Sequence, residues 1–241
     1  MSDEATISAL KWWSDAGVDT IVTETPRNWL VAPAAVPMPR PVPNKEELVE
    51  VAQETAAPPT ELAEFRKWLI GEDALFHGVA GAPRLDSSGN PNSGLMIMVG
   101  MPSSADIQAG SLLSGEAGDL FDRMLAAVKL GRESIYLASL SPFRSPTGRI
   151  DPRTAEACAR LARLHIGLAA PKALLLLGDD CSTALLGRPV SAARGVWHEI
   201  ETNRGPIRTL VTIRPNKLLA QPALKKLAWQ DLQMLMEGYK T

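Results

Sequence analysis

The chain has 241 residues, 45% of them hydrophobic and 22% charged, with a net charge of −2. That is an ordinary globular mixture rather than a disordered one, and no apolar run approaches the roughly 20 residues a membrane helix needs. The charge is uneven: residues 1–60 hold 9 acids and 4 bases, so the remainder is mildly basic, compatible with nucleic acid without demanding it.

The N-terminus, MSDEATISAL, lacks a basic flank followed by an apolar core, so it reads as no signal peptide. SALKWWSDAGVD (8–19) predicts a short amphipathic helix ended at Gly17, placing residues 1–32 in a helical extension. Residues 33–59 carry seven prolines and no aromatic residue. That composition favours an extended, polyproline-like spacer. It serves as a linker or as a docking segment for a protein partner.

The body spans 60–241. TELAEFRKWLIGED puts Leu62, Phe65, Trp68 and Leu69 on one helical face, with Thr60 as its cap. Four apolar runs follow: LMIMVG (95–100), SIYLASL (134–140), KALLLLG (172–178) and PIRTLVTI (206–213). Each leads through turn residues into a helical pattern. Near-continuous apolar strands alternating with helices predict a parallel sheet covered on both faces. The expected fold is a three-layer α/β/α sandwich around four parallel strands.

Sites on such a sheet lie at the carboxyl ends of the strands. Four segments qualify: 99–118, 139–149, LGDD (177–180) with VSAARGVWHE (190–199), and TIRPNKLLAQP (212–222). The first is rich in glycine and serine but matches neither GxxxxGKS nor GxGxxG. GxSxG and HExxH are absent. Of the three histidines, His165 shares a helical register with Leu161, Leu164 and Leu168 and reads as half-buried structure, while His198 follows Trp197 in a loop. Two cysteines, Cys158 and Cys181, form no CxxC pair and read as free thiols of a reducing cytoplasm. The expected location is cytoplasmic.

LMIMVGMPSSADIQAGSLLSGEAGDLFDRMLAAVKLGRESIYLASL, the PRTAEACARLARLHIGLAAPKALLLLGDDCSTALLG segment, RGVWHE and TIRPNKLLAQPALKKLAWQDLQ together resemble, in order and spacing, the uracil-DNA glycosylase superfamily. The likeness is to its bacterial iron–sulfur type, often called family 4, over roughly residues 60–241. It implies base excision repair: a nucleotide is extruded from the stack and its base is read in a pocket. In the family an acidic residue or water meets the developing sugar cation. A histidine polarises the uracil, an aromatic ring stacks on it and an asparagine reads its edge.

Carried over position by position, the glutamate after VG becomes Met101, followed directly by Pro102. Of the acidic pair, Asp106 keeps its carboxylate and Ile107 does not. The stacking phenylalanine becomes Leu113, and base–aromatic stacking is worth about 1–3 kcal/mol. The asparagine becomes Ser139, and the catalytic histidine becomes Arg214. Among the cluster cysteines only Cys158 has a counterpart. Phe143 stands for the one in the strand-end loop, and WLIGEDALFHG offers nothing for the N-terminal pair. No 4Fe–4S cluster and no other metal is expected. The glycines Gly100, Gly110, Gly115 and Gly118, with Leu218, Leu219 and Trp229, keep the family pattern.

Three readings follow. In the first, the chain is a repair-associated DNA binder whose uracil excision is lost or altered, with Arg144, Arg149, Arg194, Arg214 and Lys217 lining the strand-end face. In the second it is an active glycosylase with a non-standard pocket. Asp106 then positions water and Arg214 stabilises the departing base. In the third, residues 1–59 tether a protein partner in a repair or replication assembly.

Overall fold

The computed structural model describes residues 58–71, 82–150 and 152–239. The expected helix at 8–19, most of the Pro-rich spacer, and His77 lie outside these residues.

The first helix, α1 (Leu62–Ile70), buries Phe65 completely, and Leu62, Trp68 and Leu69 pack beside it as expected. Its N-cap is Glu61 rather than Thr60, without a side-chain cap bond. The helix starts one residue later than the hydroxyl would favour, because Glu61 already supplies the carbonyl that Phe65 N–H needs.

Among the described residues the sheet has six strands, two more than expected: β1 (Ser88–Gly89), β2 (Leu95–Val99), β3 (Tyr136–Ser139), β4 (Ala173–Leu177), β5 (His198–Thr202) and β6 (Gly205–Thr212). Their spatial order is β1-β3-β2-β4-β6-β5. The four inner strands pair in parallel and correspond to the four apolar runs. The two extra strands are antiparallel edges. β5, HEIET, buries only Ile200 and exposes Glu199 and Glu201. With one apolar position it carries no strand signal of its own, and it pairs with β6 through a tight turn at 203–204. His198 therefore opens a strand rather than sitting in a loop, and its Nε2 lies 2.7 Å from the Ala193 carbonyl.

Period-two alternation divides the inner strands between two cores. Met96, Met98, Tyr136, Ala138, Leu174 and Leu176 face α1, α4 (Pro152–Ala169) and α5 (Asp179–Leu186). Leu95, Ile97, Leu137, Leu175, Leu177 and Leu210 face α3 (Gly115–Ala127) and α8 (Lys225–Tyr239). Three short helices, α2 (Ser104–Ala109), α6 (Val190–Ala193) and α7 (Pro215–Ala220), stand in the strand-end loops. Among the described residues no helix is long and apolar enough to cross a membrane.

His165 on α4 is fully buried rather than half-buried. Its Nε2 lies 2.8 Å from the Tyr136 hydroxyl, which in turn lies 2.7 Å from Ser87 Oγ. Ser87 leans on Asp86, and Asp86 holds Arg66 by two hydrogen bonds. Burial, and secondarily the Arg66 cation, push the imidazole down to about 4, so it is neutral near pH 7.

Candidate nucleotide cleft at the strand ends

Register fixes where a ligand can sit. Val99 pairs with Ser139 on one side and with Leu177 on the other, and Leu177 pairs with Thr212. The four parallel strands thus end level. The chain turns outward in opposite directions from β2, to β3 on one side and β4 on the other, which opens a crevice at that switch point. A cleft of about 240 Å³ lies there, lined by Val99, Gly100, Met101, Asp106, Leu113 and Arg144 on one side. Leu177, Asp180, Arg214 and Asn216 line the other.

Arg214 is the N-cap of α7, with an extended backbone (φ −65°, ψ 146°), and Pro215 follows at the first helical position. A residue before proline is pushed out of the helical region, and proline suits a helix start. These two preferences fix the backbone that sets Arg214 at the mouth of β6. Its stem lies across Gly178, where an added Cβ would come within 3.2 Å of Arg214 Cβ and Cδ. Its Nη1 lies 3.6 Å from Asp180 Oδ2. Asp180 in turn presses on Gly100, where a Cβ would sit 2.6 Å from that same oxygen. Two strand-end glycines therefore give room to the two members of an ion pair. A second pair runs alongside, Lys217 Nζ to Asp179 Oδ2 at 3.5 Å. Both pairs are half-exposed, so each adds little to stability. Their effect is to hold the cations at the start of α7 over the carboxylates at the start of α5.

Asp106 is 4% exposed and does two jobs in the backbone. Its Oδ2 accepts from Ser103 N–H at 2.8 Å, and its Oδ1 from Ser114 N–H at 2.7 Å. Ser103 Oγ accepts from Asp106 N–H, completing a reciprocal cap on α2. The carboxylate thus ties the start of α2 to the loop that carries Leu113.

Leu113 has a left-handed backbone, φ +53°, which costs a non-glycine residue about 1–3 kcal/mol and persists only where neighbours enforce it. They do: Arg132 donates to the carbonyls of Leu112 at 3.0 Å and Leu113 at 2.5 Å, and is itself held by Asp122 at 2.6 Å. Gly118 lies directly below, where a Cβ would come 2.0 Å from the Leu113 carbonyl oxygen. Since that neighbour is backbone, Gly118→Ala is expected to destabilise by at least about 1–3 kcal/mol and to displace Leu113 from the cleft. Urea unfolding of the variant measures this, and an unchanged midpoint would contradict it.

Arg144 donates to the Pro102 carbonyl at 3.3 Å, which steadies the guanidinium at the rim. The structure therefore brings Met101, Asp106, Leu113, Arg144 and Arg214 together, with Pro102 behind them. It does not bring Ser139 into the lining. Ser139 ends β3 beside Val99, where it is buried, and it does not line the cleft. Arg149 lines an adjoining groove instead.

Arg194 is turned inward. Its guanidinium binds both oxygens of Asp231, at 3.2 and 2.8 Å, and the Leu227 carbonyl at 2.8 Å. The rest of RGVWHE also serves packing: the Trp197 ring lies where a side chain on Gly238 would go, with Arg208 stacked 4.6 Å from its centre.

Sequence reasoning passed over Ser103, Asp180 and Asn216. The first had a signal, since Ser103 followed three residues later by Asp106 is a capping pattern. For Asp180 the signal was weaker: two acids directly after the glycine that ends a buried strand.

The donor set does not fit a four-thiolate cluster. The chain has two cysteines, both buried in one apolar core. Phe143 fills the same core with 1% exposure. Cys181 donates to the Met98 carbonyl, and burial pushes its thiol well up, against thiolate formation. Among the described residues no group of three His, Cys, Asp or Glu side chains could hold a metal ion.

The stretch of chain that carries the cleft is similar to known proteins. The type-4 uracil-DNA glycosylase of Pyrobaculum aerophilum is 26% identical over 157 residues, 62% of this chain and 80% of the relative. That of Archaeoglobus fulgidus is 22% identical over 156 residues, again 62% of this chain and 78% of the relative. The family model described as the uracil DNA glycosylase superfamily matches residues 87–233, from just before β1 into α8. All six strands and every residue that lines the cleft fall within that match, and on this ground the chain belongs to the uracil-DNA glycosylase superfamily.

Proposed function

We propose that the strand-end cleft receives a nucleotide extruded from DNA, and that the chain is a repair-associated DNA binder whose excision of ordinary uracil is lost or altered. One observation carries the reading: a guanidinium, Arg214, stands over the cleft, its stem seated on Gly178 and its head facing Asp180. A guanidinium keeps its proton at any physiological pH. It contacts a phosphate or a base carbonyl, but it cannot exchange a proton as an imidazole does. Leu113 offers an apolar floor without a π-face. With two cysteines in the chain, this reading uses no iron–sulfur cluster.

The presence of Asp106 and Arg214 in one cleft favours a second reading, hydrolysis with altered specificity. In it the bond between C1′ and the base nitrogen breaks and its electron pair leaves with the base. Water adds at C1′ and its proton passes to Asp106, while Arg214 offsets the charge on the departing base.

Uracil-containing oligonucleotides, single-stranded and duplex, separate the two when incubated with micromolar protein and then treated with alkali. The expected result is no cleavage, together with binding that weakens steeply with salt. Arg214→Gln is expected to weaken binding of all sequences and to lower the slope of log K against log salt by about one. Prompt excision that Asp106→Asn abolishes would establish the second reading instead. No salt-sensitive binding to either form of DNA would overturn the first.

A further inference from the structure

We infer that the groove beside the cleft is a second nucleobase subsite, which holds a neighbour of the extruded nucleotide and favours a base carrying an exocyclic amino group. This rests on the DNA-binding reading above and deepens it. The groove has a volume of about 420 Å³ and shares two residues, Gly148 and Asp180, with the cleft. The two are lobes of one depression. Small-molecule sites run to about 300–1,000 Å³. The groove by itself falls within that range, room for one base beside the one in the cleft.

The floor of the groove is apolar and shallow in side-chain length. Leu140 is buried beneath it, Ile150 flanks it, and Ala155 of α4 and Ala184 of α5 leave a slot between their helices. Arg149 lies exposed at the rim. A planar guanidinium there stacks on a base face while its charge meets the backbone.

Polarity at the closed end sets the preference. Asp179 is already occupied: its Oδ1 accepts from Val190 N–H at 2.8 Å and its Oδ2 faces Lys217. Asp180 presents one oxygen to Arg214 at 3.6 Å. Its other oxygen has no hydrogen-bond partner among the described residues, and its side chain is 45% exposed. Asp180 belongs to both lobes, so that oxygen meets whatever base enters the groove. A carboxylate accepts from the amino group of cytosine or adenine and repels the O4 carbonyl of thymine or uracil. Asp180 therefore serves two lobes at once, steadying Arg214 in the first and selecting an amino-bearing base in the second.

The test uses the full chain and short fluorescent single-stranded oligonucleotides, each with one central deoxyuridine. The adjacent position, on either side, is deoxycytidine, deoxyadenosine, thymidine or an abasic residue. On one of the two sides the amino-bearing neighbours are expected to bind about tenfold tighter than the abasic one, in line with one stacked and hydrogen-bonded base. Thymidine is expected to fall between them. Ala184→Trp fills the slot and is expected to bring the ratio among the four probes to about one. Ala155→Phe fills it from the opposite helix and provides the same readout should the tryptophan variant not fold. Asp180→Asn is expected to erase the distinction between thymidine and the amino-bearing bases while the penalty for an abasic neighbour persists. Equal binding of all four probes by the native chain would overturn the subsite and leave the DNA-binding reading intact. A neighbour preference that survives in folded Ala184→Trp or Ala155→Phe would overturn the placement of the subsite in this groove. Absence of binding to every probe would overturn both the subsite and the reading beneath it.

Discussion

Replacing Arg194 by leucine is expected to cost about 3–5 kcal/mol of folding stability at neutral pH, because it strands a buried carboxylate. Asp231 is 1% exposed and receives its counter-charge from Arg194, with Thr212 Oγ1 donating to it at 2.8 Å. Burial raises the Asp231 carboxyl above its ordinary range, while Thr212 and Arg194 pull it back. Removing Arg194 takes away part of that restraint, so the carboxyl rises further. A carboxyl raised in the folded state holds a proton that the unfolded chain releases. Stability is then fullest below the unfolded value of about 3.9 and is lost as pH rises through the folded one. The deficit of Arg194→Leu is therefore expected to be smaller at pH 4.5 than at pH 7.5. Replacing Asp231 by leucine as well is expected to recover much of the loss, since an apolar pair leaves no charge stranded. Urea unfolding of the native chain, the single and the double variant at both pH values measures all three. A deficit under about 1 kcal/mol that does not change with pH would show the pair to be dispensable.

A second large effect comes from His165. Its folded value is about 4, and the unfolded value is about 6.5. Between these the unfolded chain binds a proton that the folded chain refuses. The contribution of this ring is thus level above about pH 6.5 and falls as pH drops toward 4. The total loss from this one ring is about 3 kcal/mol. His165→Gln does not titrate in this range and is expected to flatten the acid limb, at the cost of a poorer fit against Phe65 and Tyr136, whose rings lie 5.3 and 5.6 Å from the imidazole. Asp231 contributes an opposite slope to both proteins and drops out of their difference. Unfolding free energies measured every half pH unit from 4 to 7.5 provide the test. Parallel curves for the two proteins would show that the ring is not the acid-sensitive group.

The parallel sheet was legible because its strands are buried on both faces. LMIMV and ALLLL have no polar position to spare, so composition alone marks them. β5 was not legible, because a single buried residue, Ile200, fixes it and the partner strand provides the rest. α2 was hidden for a similar reason: SADIQA buries only Asp106, and its helix is specified by its cap rather than by a stripe.

At the site, the loops were identifiable from topology, and five of the singled-out side chains meet in the cleft. Ser139 and Arg194 do not, and the reasons differ. Ser139 is buried at the end of β3 beside Val99 and does not line the cleft, and its burial cannot be seen along the chain. Arg194 is spent on Asp231, 37 residues away. Asp180 escaped notice because its importance arises from Gly100 and Arg214, which approach it only once the strands are in register.

The two edge strands have a consequence for the behaviour of many copies in one solution. A sheet whose interior is this apolar would recruit further strands if its margins were long and flat. Here one margin is a stub of two residues. The other, HEIET, sets Glu199 and Glu201 outward at alternate positions, so a second chain pairing there in register would meet like charge. The same economy that made β5 unreadable as a strand makes it a poor edge for a second chain to pair with.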